Sequence, residues 1–356
     1  MSLVAVWTAE HRLHDPDGEV WLGVRVPGSE VPERGEVLRR ALEEAGVEVH
    51  EPTPHGRESI LAVHDQGMVS YLEDAYRGWV EAGYTENPGQ NRVVPYVFPH
   101  PDAIAEVGFR LPASRGALAG VYCMDTATLI GPGTFAAAVA AVDCALTAAD
   151  MVLNGADTAY AAVRPPGHHA GTTFFGGSCY LNNAAIAAQY LIDAGAGPVG
   201  IVDIDAHHGN GTQQIFYRRA EVSYASVHVD PDRGWFPHFL GRGDERGAGP
   251  GAGANLNLPL PPGTGDEGWV EAVKRAVEFT AGRNPEVVVV SLGVDPGAAD
   301  PESPLRVSNV GFAEAGELLA GLGTPAILVQ EGGYDLDSLG PDVMAILTPF
   351  RPRRLG

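Results

Sequence analysis

The chain has 356 residues, of which 45% are hydrophobic, and a formal net charge of -22. This composition is ordinary for a globular protein of one or two domains, and the negative charge argues against a nucleic-acid partner, which would need basic residues to neutralise phosphates. Cys123, Cys144 and Cys179 form no C-x-x-C pair, which argues against a disulfide framework and favours a cytoplasmic protein.

The first part of the chain carries short strand and helix patterns around a polar segment. Residues 8–32 are punctuated by Pro and Gly and are predicted to form a loop. The flanking predictions are strands at 3–7 and 47–49 and helices at 33–45 and 70–82.

Regular patterns are lost between residues 87 and 134, where six prolines break any long element. A loop of this length inside a compact domain is usually functional or used in assembly. A helix is predicted over 133–150, and its Ala-rich stretch at 135–149, which contains Asp143, is predicted to be too short to span a membrane. The N-terminus lacks a basic region followed by a long apolar core, so we expect no signal peptide and no membrane partner.

Strand and helix patterns alternate regularly in the second half of the chain. This alternation predicts βαβ units and an α/β fold, in which a mostly parallel sheet has helices on both faces. We find no domain-boundary linker and predict a single domain over 1–356. The predicted strands are 159–163, 199–204, 222–229, 287–292 and 326–330, and the predicted helices are 182–194, 212–219, 266–282 and 311–322.

Polar motifs follow four of these strands. Ligands of open α/β sheets bind outside the carboxyl ends of the strands, so the four motifs are predicted to meet in one cleft. A single motif of this kind is often only a satisfied turn. The motifs are R-P-P-G-H-H at 164–169, D-I-D-A-H-H-G at 203–209, S-L-G-V-D at 291–295 and Q-E-G-G-Y at 330–334.

The second motif has the donor types of a divalent metal site. Alternate residues of a strand share a face, so Asp203, Asp205 and His207 can project from one side. With Asp295, the pair Asp205 and His207 would bind a metal such as zinc through three ligands and leave a position open, as catalytic sites do. A strand that ends in a solvated polar loop is the alternative for D-x-D-x-H alone.

The other motifs supply groups for acid–base chemistry. His168 and His169 would act as base and acid beside a metal-activated water. Tyr334 follows two glycines and would donate a hydrogen bond to a carbonyl or its oxyanion. Taken singly, a His-His pair is more often structural and such a Tyr more often packs. Together the motifs indicate amide hydrolysis without a Ser or Cys nucleophile.

In order and spacing, these motifs resemble the histone deacetylase superfamily, and within it the bacterial acetylpolyamine amidohydrolases. C-Y-L-N-N-A-A-I-A-A at 179–188 and F-P-H-F-L-G at 236–241 extend the resemblance. It implies the arginase-deacetylase fold: a single three-layer domain with about eight strands. It also implies that His169 is the general base, that His168 is its electrostatic partner and that Tyr334 polarises the carbonyl. The implied ligands of Zn²⁺, or of Fe²⁺ as the alternative, are Asp205, His207 and Asp295.

The resemblance also implies residues that support this centre. Asp203 would hydrogen-bond to His168, and Asn210 to His169, which would fix the orientation of both rings. A structural K⁺ or Na⁺ ion would lie beside the zinc. Its implied ligands are Asp203, Asp205, His207, Ser226 and Val227.

The expected substrate channel departs from the family pattern at one wall. Ser178 follows Gly177 where the family usually has an aromatic residue, so Phe236 remains as the opposite wall. The channel would therefore admit a bulkier acyl group or a less linear amine.

Acidic residues are expected at the mouth of the channel. Glu19 and Trp21 match positions of the N-terminal loop, and Glu302 stands where most members have an apolar residue. An acid at the mouth would suit a distal ammonium group. Asp125 and Glu106 are candidates for further acids expected there.

The leading hypothesis is metal-dependent hydrolysis of a small acylated amine, such as an acetylpolyamine or a similar small cationic acetylamine, with release of acetate. The runner-up is an acyl-lysine protein or peptide deacylase, and a catalytically silent acyl-amine binding protein is the alternative from another class. By resemblance, the insertion at 87–134 would mediate a homodimer, whereas a mobile surface excursion is the plainer interpretation.

Overall fold

The computed structural model describes residues 3–351. The strands are β1 (Leu3–Val6), β2 (Glu19–Trp21), β3 (Val24–Val26), β4 (Glu48–His50), β5 (Thr158–Ala161), β6 (Val199–Asp203), β7 (Val222–Val229), β8 (Asn255–Leu260), β9 (Val287–Leu292) and β10 (Ala326–Gln330). The α-helices are α1 (Glu33–Glu44), α2 (Arg57–Leu61), α3 (Gln66–Glu81), α4 (Pro101–Ile104), α5 (Arg115–Tyr122), α6 (Thr134–Leu153), α7 (Asn183–Asp193), α8 (Asn210–Phe216), α9 (Asp266–Ala281), α10 (Asn309–Ala320) and α11 (Leu339–Leu347).

Eight strands form one parallel sheet in the order β4-β1-β5-β10-β9-β6-β7-β8. Alternate residues of the central strands enter different hydrophobic cores. In β9, Val289 packs into the core that contains α6 and α7, whereas Val288 and Val290 pack into the core that contains α9 and α10. The predicted three-layer α/β domain is thus confirmed, and its central sheet is wholly parallel rather than mostly parallel.

The structure corrects several local predictions. The polar segment at 8–32 contains the antiparallel hairpin of β2 and β3, whose strands of three residues are too short to give a periodic signal. The insertion contains the short helices α4 and α5, and α4 begins at Pro101, since proline is tolerated at the first position of a helix. The sequence patterns also missed β8, an edge strand, and α11.

Helix α6 corrects the prediction about membrane-spanning length. It has 20 residues and is long and apolar enough to cross a membrane by length and composition alone. However, 67% of its apolar window is buried inside the protein. It packs against α7 and β5 and contributes Ala141 and Ala145 to the core, so its apolar character is explained by burial within the fold.

Candidate active site

The four polar motifs meet at the carboxyl ends of β5, β10, β9 and β6, which are neighbours in the sheet. Backbone-to-carboxylate hydrogen bonds join the loops directly. The Gly332 amide donates to Asp205 at 2.7 Å, and the Ala206 amide donates to Asp295 at 2.8 Å. The predicted convergence of the four motifs at one edge of the sheet is therefore present in the fold.

Asp205, His207 and Asp295 form a cluster whose ligand atoms all lie within 4.8 Å of one another. His207 Nδ1 is 2.9 Å from Asp295 Oδ2 and 3.2 Å from Asp205 Oδ1. Glycine is required beside them: a Cβ at Gly293 would lie 2.1 Å from Asp205 Oδ2, and one at Gly332 would lie 2.6 Å from an oxygen of each carboxylate. The two glycines thus leave the space beside the carboxylate oxygens that any side chain would fill.

The electrostatics of this cluster suit a bound cation. Asp205 and Asp295 are buried, and burial together with the charge of Asp205 raises the pKa of Asp295 to about 8. Burial also acts against the charge of Asp205, but His168 and His207 hold its pKa below the usual range. Two buried carboxylates and an imidazole are a donor set that fits Zn²⁺ or Fe²⁺, which would relieve the repulsion between the acids.

The two histidines lie side by side with their ring centroids 4.1 Å apart. His168 Nδ1 is 3.1 Å from Asp203 Oδ2, and His169 Nδ1 is 2.6 Å from Asn210 Oδ1. Nδ1 of each imidazole is thus engaged by a polar side chain, and Nε2 takes no part in these two contacts.

The environments push the pKa values of the two histidines apart. Burial lowers the pKa of His168, but Asp205 and Asp203 outweigh it and raise that pKa to about 10. Burial and the positive charges of His168 and His207 hold the pKa of His169 well below its usual range. A charged His168 beside a neutral His169 provides a proton acceptor in the cleft.

The loop that carries Tyr334 is fixed by a buried arginine. Arg34 donates to the carbonyl oxygens of Glu331 at 2.7 Å and Gly333 at 2.6 Å, and its guanidinium carbon lies 4.6 Å from the centroid of the Tyr334 ring. The Tyr334 amide donates to Asp300 at 2.6 Å. Burial raises the pKa of the Tyr334 hydroxyl well above its usual range, so the hydroxyl stays protonated as a donor.

The predicted channel residues Gly177 and Phe236 both adjoin His169. The Phe236 ring stands edge-on to the His169 ring with 4.9 Å between centroids. A Cβ at Gly177 would lie 2.3 Å from His169 Cδ2 and 3.0 Å from Phe236 Cε1. Ser178 follows with φ 61°, a left-handed conformation that is rare for a residue with a Cβ.

Of the predicted mouth residues, Glu19 and Glu302 interact. Burial and the charges of Glu302 and Asp125 raise the pKa of Glu19 to about 7. Glu302 accepts a hydrogen bond from Ser29 at 2.5 Å, and Trp21 on the strand of Glu19 is 57% exposed. An ammonium group near Glu19 would favour its charged form.

Two other predicted positions have a weaker relation to the cleft. Glu106 is exposed and forms no hydrogen bond or ion pair within residues 3–351. Asp203 and Ser226 are register partners of β6 and β7, but the Ser226 hydroxyl lies 2.8 Å from His228 Nδ1. Among the predicted ligands of a monovalent ion, Ser226 therefore has its hydroxyl engaged by His228.

The family model of the histone deacetylase domain matches residues 28–349. The chain belongs to the histone deacetylase family. Its similarity to the acetylpolyamine amidohydrolase of Mycoplana ramosa is 40% identity over 96% of this chain and 98% of the relative. Acetylpolyamine amidohydrolase 1 of Pseudomonas aeruginosa is also 40% identical, over 98% of this chain and 99% of the relative.

Solved structures agree with this family membership. A crystal structure of acetylpolyamine aminohydrolase from Burkholderia pseudomallei has a TM-score of 0.90 and 37% identity, with 98% of both chains covered. The HD domain of HDA15 has a TM-score of 0.78 and 25% identity, with 98% of this chain and 88% of that chain covered. These matches to deacetylase structures confirm the arginase-deacetylase fold that the motifs implied.

Sequence reasoning missed the buried ion cluster beneath this deacetylase-family site. Glu30 lies 2.6 Å from Arg164 and 3.0 Å from Arg34, and its pKa is held far below the usual range, mainly by Arg164, in spite of burial. Arg164 is the first residue of the R-P-P-G-H-H motif, but the motif alone does not indicate a function for it. Arg34 lies at the spacing of the buried face of α1, where an apolar residue would be expected. An arginine at such a position is the sequence feature that could have indicated a buried ion cluster.

Proposed function

We propose that this protein hydrolyses the amide bond of acetylated polyamines, or of similar small cationic acetylamines, to acetate and the free amine. The observation that carries the proposal is the metal-ligand cluster Asp205, His207 and Asp295 beside a buried histidine pair with opposed pKa shifts. Near-full-length relatives at 40% identity that are named acetylpolyamine amidohydrolases support the substrate class. A cytoplasmic location is part of the proposal, supported by three buried free cysteines.

Zn²⁺ is the proposed metal, with Fe²⁺ as the alternative, and Asp205, His207 and Asp295 are its proposed ligands. When bound, the metal would polarise the amide carbonyl and acidify a water molecule. His169 is neutral, and its Nδ1 is engaged by Asn210, so Nε2 takes the proton from the attacking water. The same nitrogen then returns the proton to the leaving amine.

Tyr334 is the proposed donor to the carbonyl oxygen. Because its hydroxyl stays protonated, it donates a hydrogen bond that strengthens as negative charge develops on that oxygen. Arg34 and Asp300 hold the loop from both sides, so the hydroxyl needs little reorganisation during the reaction. Asp203 hydrogen-bonds to His168 and fixes the orientation of its ring, so that His168 acts as the electrostatic partner of His169.

The mouth acids support a cationic amine. Burial and the charge of Glu302 raise the pKa of Glu19, and an ammonium group several methylenes from the amide would offset this repulsion while the acetyl group reaches the metal cluster. The net charge of -22 adds a general attraction for cations. The pair is partly exposed to water, so its contribution to affinity is modest, at about 1 kcal/mol.

Glu302→Gln should lower kcat/KM for a cationic acetylamine by about tenfold or less and leave a neutral acetylamine of equal length almost unchanged. The substitution removes the charge and keeps the shape and the acceptor for Ser29. Glu271→Gln, on the exposed face of α9, is the matched control. Equal losses for both substrates, or no loss for either, would remove the local support for a polyamine.

The proposed substrate class is tested by a competition assay. Acetylputrescine, acetylcadaverine and the acetylspermidine isomers compete with an acetyl-lysine peptide, and the rates are measured together. Preference for the polyamines supports the proposal, whereas preference for the peptide favours an acyl-lysine deacylase. Absence of turnover with all of them, with metal bound, would favour the silent binding protein.

A homodimer mediated by the insertion at 87–134 is also proposed. The insertion exposes large apolar side chains, among them Tyr96 (73% exposed), Val107 (75%) and Leu111 (60%), which a partner would cover. The protein is expected to be a dimer in light scattering at micromolar concentration, and Val107→Asp combined with Leu111→Asp should shift it toward the monomer. A monomeric wild type would contradict the dimer.

A further inference from the structure

We infer that Asp125 and Thr128, at the C-terminal end of the insertion, are positioning residues that hold the Gly177–Ser178 wall of the substrate channel and so set which amines enter. The inference rests on the proposed function and deepens it. Asp125 was considered in the sequence as an acid for the substrate ammonium. In the structure its oxygens are occupied by backbone amides, which points to a different role.

The hydrogen bonds form a continuous chain from Asp125 to the wall. Asp125 Oδ2 accepts from the Gly177 amide at 2.6 Å, and Oδ1 accepts from the amides of Ala127 at 2.9 Å and Thr128 at 2.8 Å. The Thr128 hydroxyl donates to Asp125 Oδ2 at 3.2 Å and accepts from the Ser178 amide at 2.9 Å. Two consecutive amides of the wall therefore depend on these two side chains.

The wall needs such support because Ser178 has an unfavourable backbone conformation. Gly177 has φ 55° and Ser178 has φ 61°, and Ser178 carries a Cβ that makes the left-handed conformation costly. The space beside Gly177 is fully used, since even a Cβ would contact His169 and Phe236. A small displacement of this backbone would therefore reach the proposed base and change the width of the channel.

The segment at 123–128 also joins the other parts of the channel. The Met124 amide donates to the carbonyl of Phe175 at 2.9 Å, just before the wall, and Met124 Sδ accepts from the Asn210 side chain at 3.6 Å. Thr126 exchanges hydrogen bonds with Val20 on the strand that carries Glu19, at 3.3 and 2.7 Å. The segment thus connects the mouth hairpin, the wall and the partner of His169.

Ser178 stands at a position where the family usually has an aromatic residue. The wall at this point is backbone, and hydrogen bonds rather than ring packing fix its place. Removing them should relax the wall and weaken discrimination between linear and branched amines.

The test compares Asp125→Asn, Thr128→Val and Thr128→Ser with wild type. In Asp125→Asn an amide nitrogen replaces an acceptor, Thr128→Val deletes the acceptor for Ser178, and Thr128→Ser retains it. Asp65→Asn is the matched control, because Asp65 also accepts from two backbone amides, at the start of α3. The readouts are kcat and KM for linear acetylputrescine and for a branched acetylamine, and hydrogen–deuterium exchange of peptides covering residues 175–180.

Asp125→Asn and Thr128→Val should each lower kcat/KM for the linear substrate by about tenfold, reduce the linear-to-branched ratio, and speed exchange at residues 177 and 178 by about tenfold. Thr128→Ser and Asp65→Asn should resemble wild type. Unchanged exchange, or faster exchange with an unchanged substrate ratio, would overturn the inference. If wild type turns over no acetylated amine, the proposed function fails, and the exchange data still decide whether the two side chains hold the wall.

Discussion

Tyr334→Phe should lower kcat by about 10²–10³ and change KM much less. The hydroxyl is needed mainly when negative charge develops on the carbonyl oxygen, so its removal affects the transition state more than the bound substrate. Phe keeps the ring that Arg34 contacts and the backbone amide that donates to Asp300, so the loop should stay in place. Steady-state kinetics on acetylputrescine measure the effect.

Tyr76→Phe on α3 is the matched control and should leave both constants unchanged. Near-normal kcat in Tyr334→Phe would show that another group polarises the carbonyl. His169→Ala should be at least as damaging as Tyr334→Phe, and near-normal turnover by that variant would transfer the role of the base to His168.

Asp295→Ala should remove most of the bound metal and nearly all activity while the protein remains folded. Asp295 is one of three proposed ligands, and the remaining Asp205 and His207 would bind a divalent ion far less tightly. The loss of its hydrogen bond from the Ala206 amide destabilises the fold, but the loss of its repulsion with Asp205 acts in the opposite direction. Elemental analysis and circular dichroism measure metal content and folding.

Asp342→Asn is a suitable control, since Asp342 is a buried acid that accepts a hydrogen bond from Asn309 and is not among the proposed ligands. It should retain metal and activity. Full activity in Asp295→Ala without bound metal would refute the ligand assignment, and global unfolding would show that the carboxylate is needed for the fold itself.

The centre of the site could be predicted from sequence because its residues follow directly on strongly apolar strands. Asp205 and Asp295 come within a few residues of β6 and β9, and parallel strands necessarily bring such positions to one edge of the sheet. The same reasoning predicted that His168, which follows β5, and Tyr334, which follows β10, lie at this edge. Continuous apolar runs and one topological rule were sufficient to place these residues.

The supporting residues could not be predicted in this way, because their contacts depend on tertiary structure. Arg34 reaches the carbonyl of Gly333 from the other end of the chain, and nothing local distinguishes it from a surface arginine except its place on the buried face of α1. Asp125 lies in a segment without periodicity, and its bond to Gly177 spans 52 residues. Contacts of this kind carry no local signal.

The measurement that tests the central claim most directly is acetate release from acetylputrescine by protein stripped of metal with a chelator, before and after Zn²⁺ or Fe²⁺ is restored. We predict no turnover by the stripped protein and recovery when stoichiometric metal binds, with no recovery in Asp295→Ala. Undiminished turnover by metal-free protein, or continued inactivity of wild type with metal bound, would contradict metal-dependent hydrolysis of an acetylpolyamine at this site.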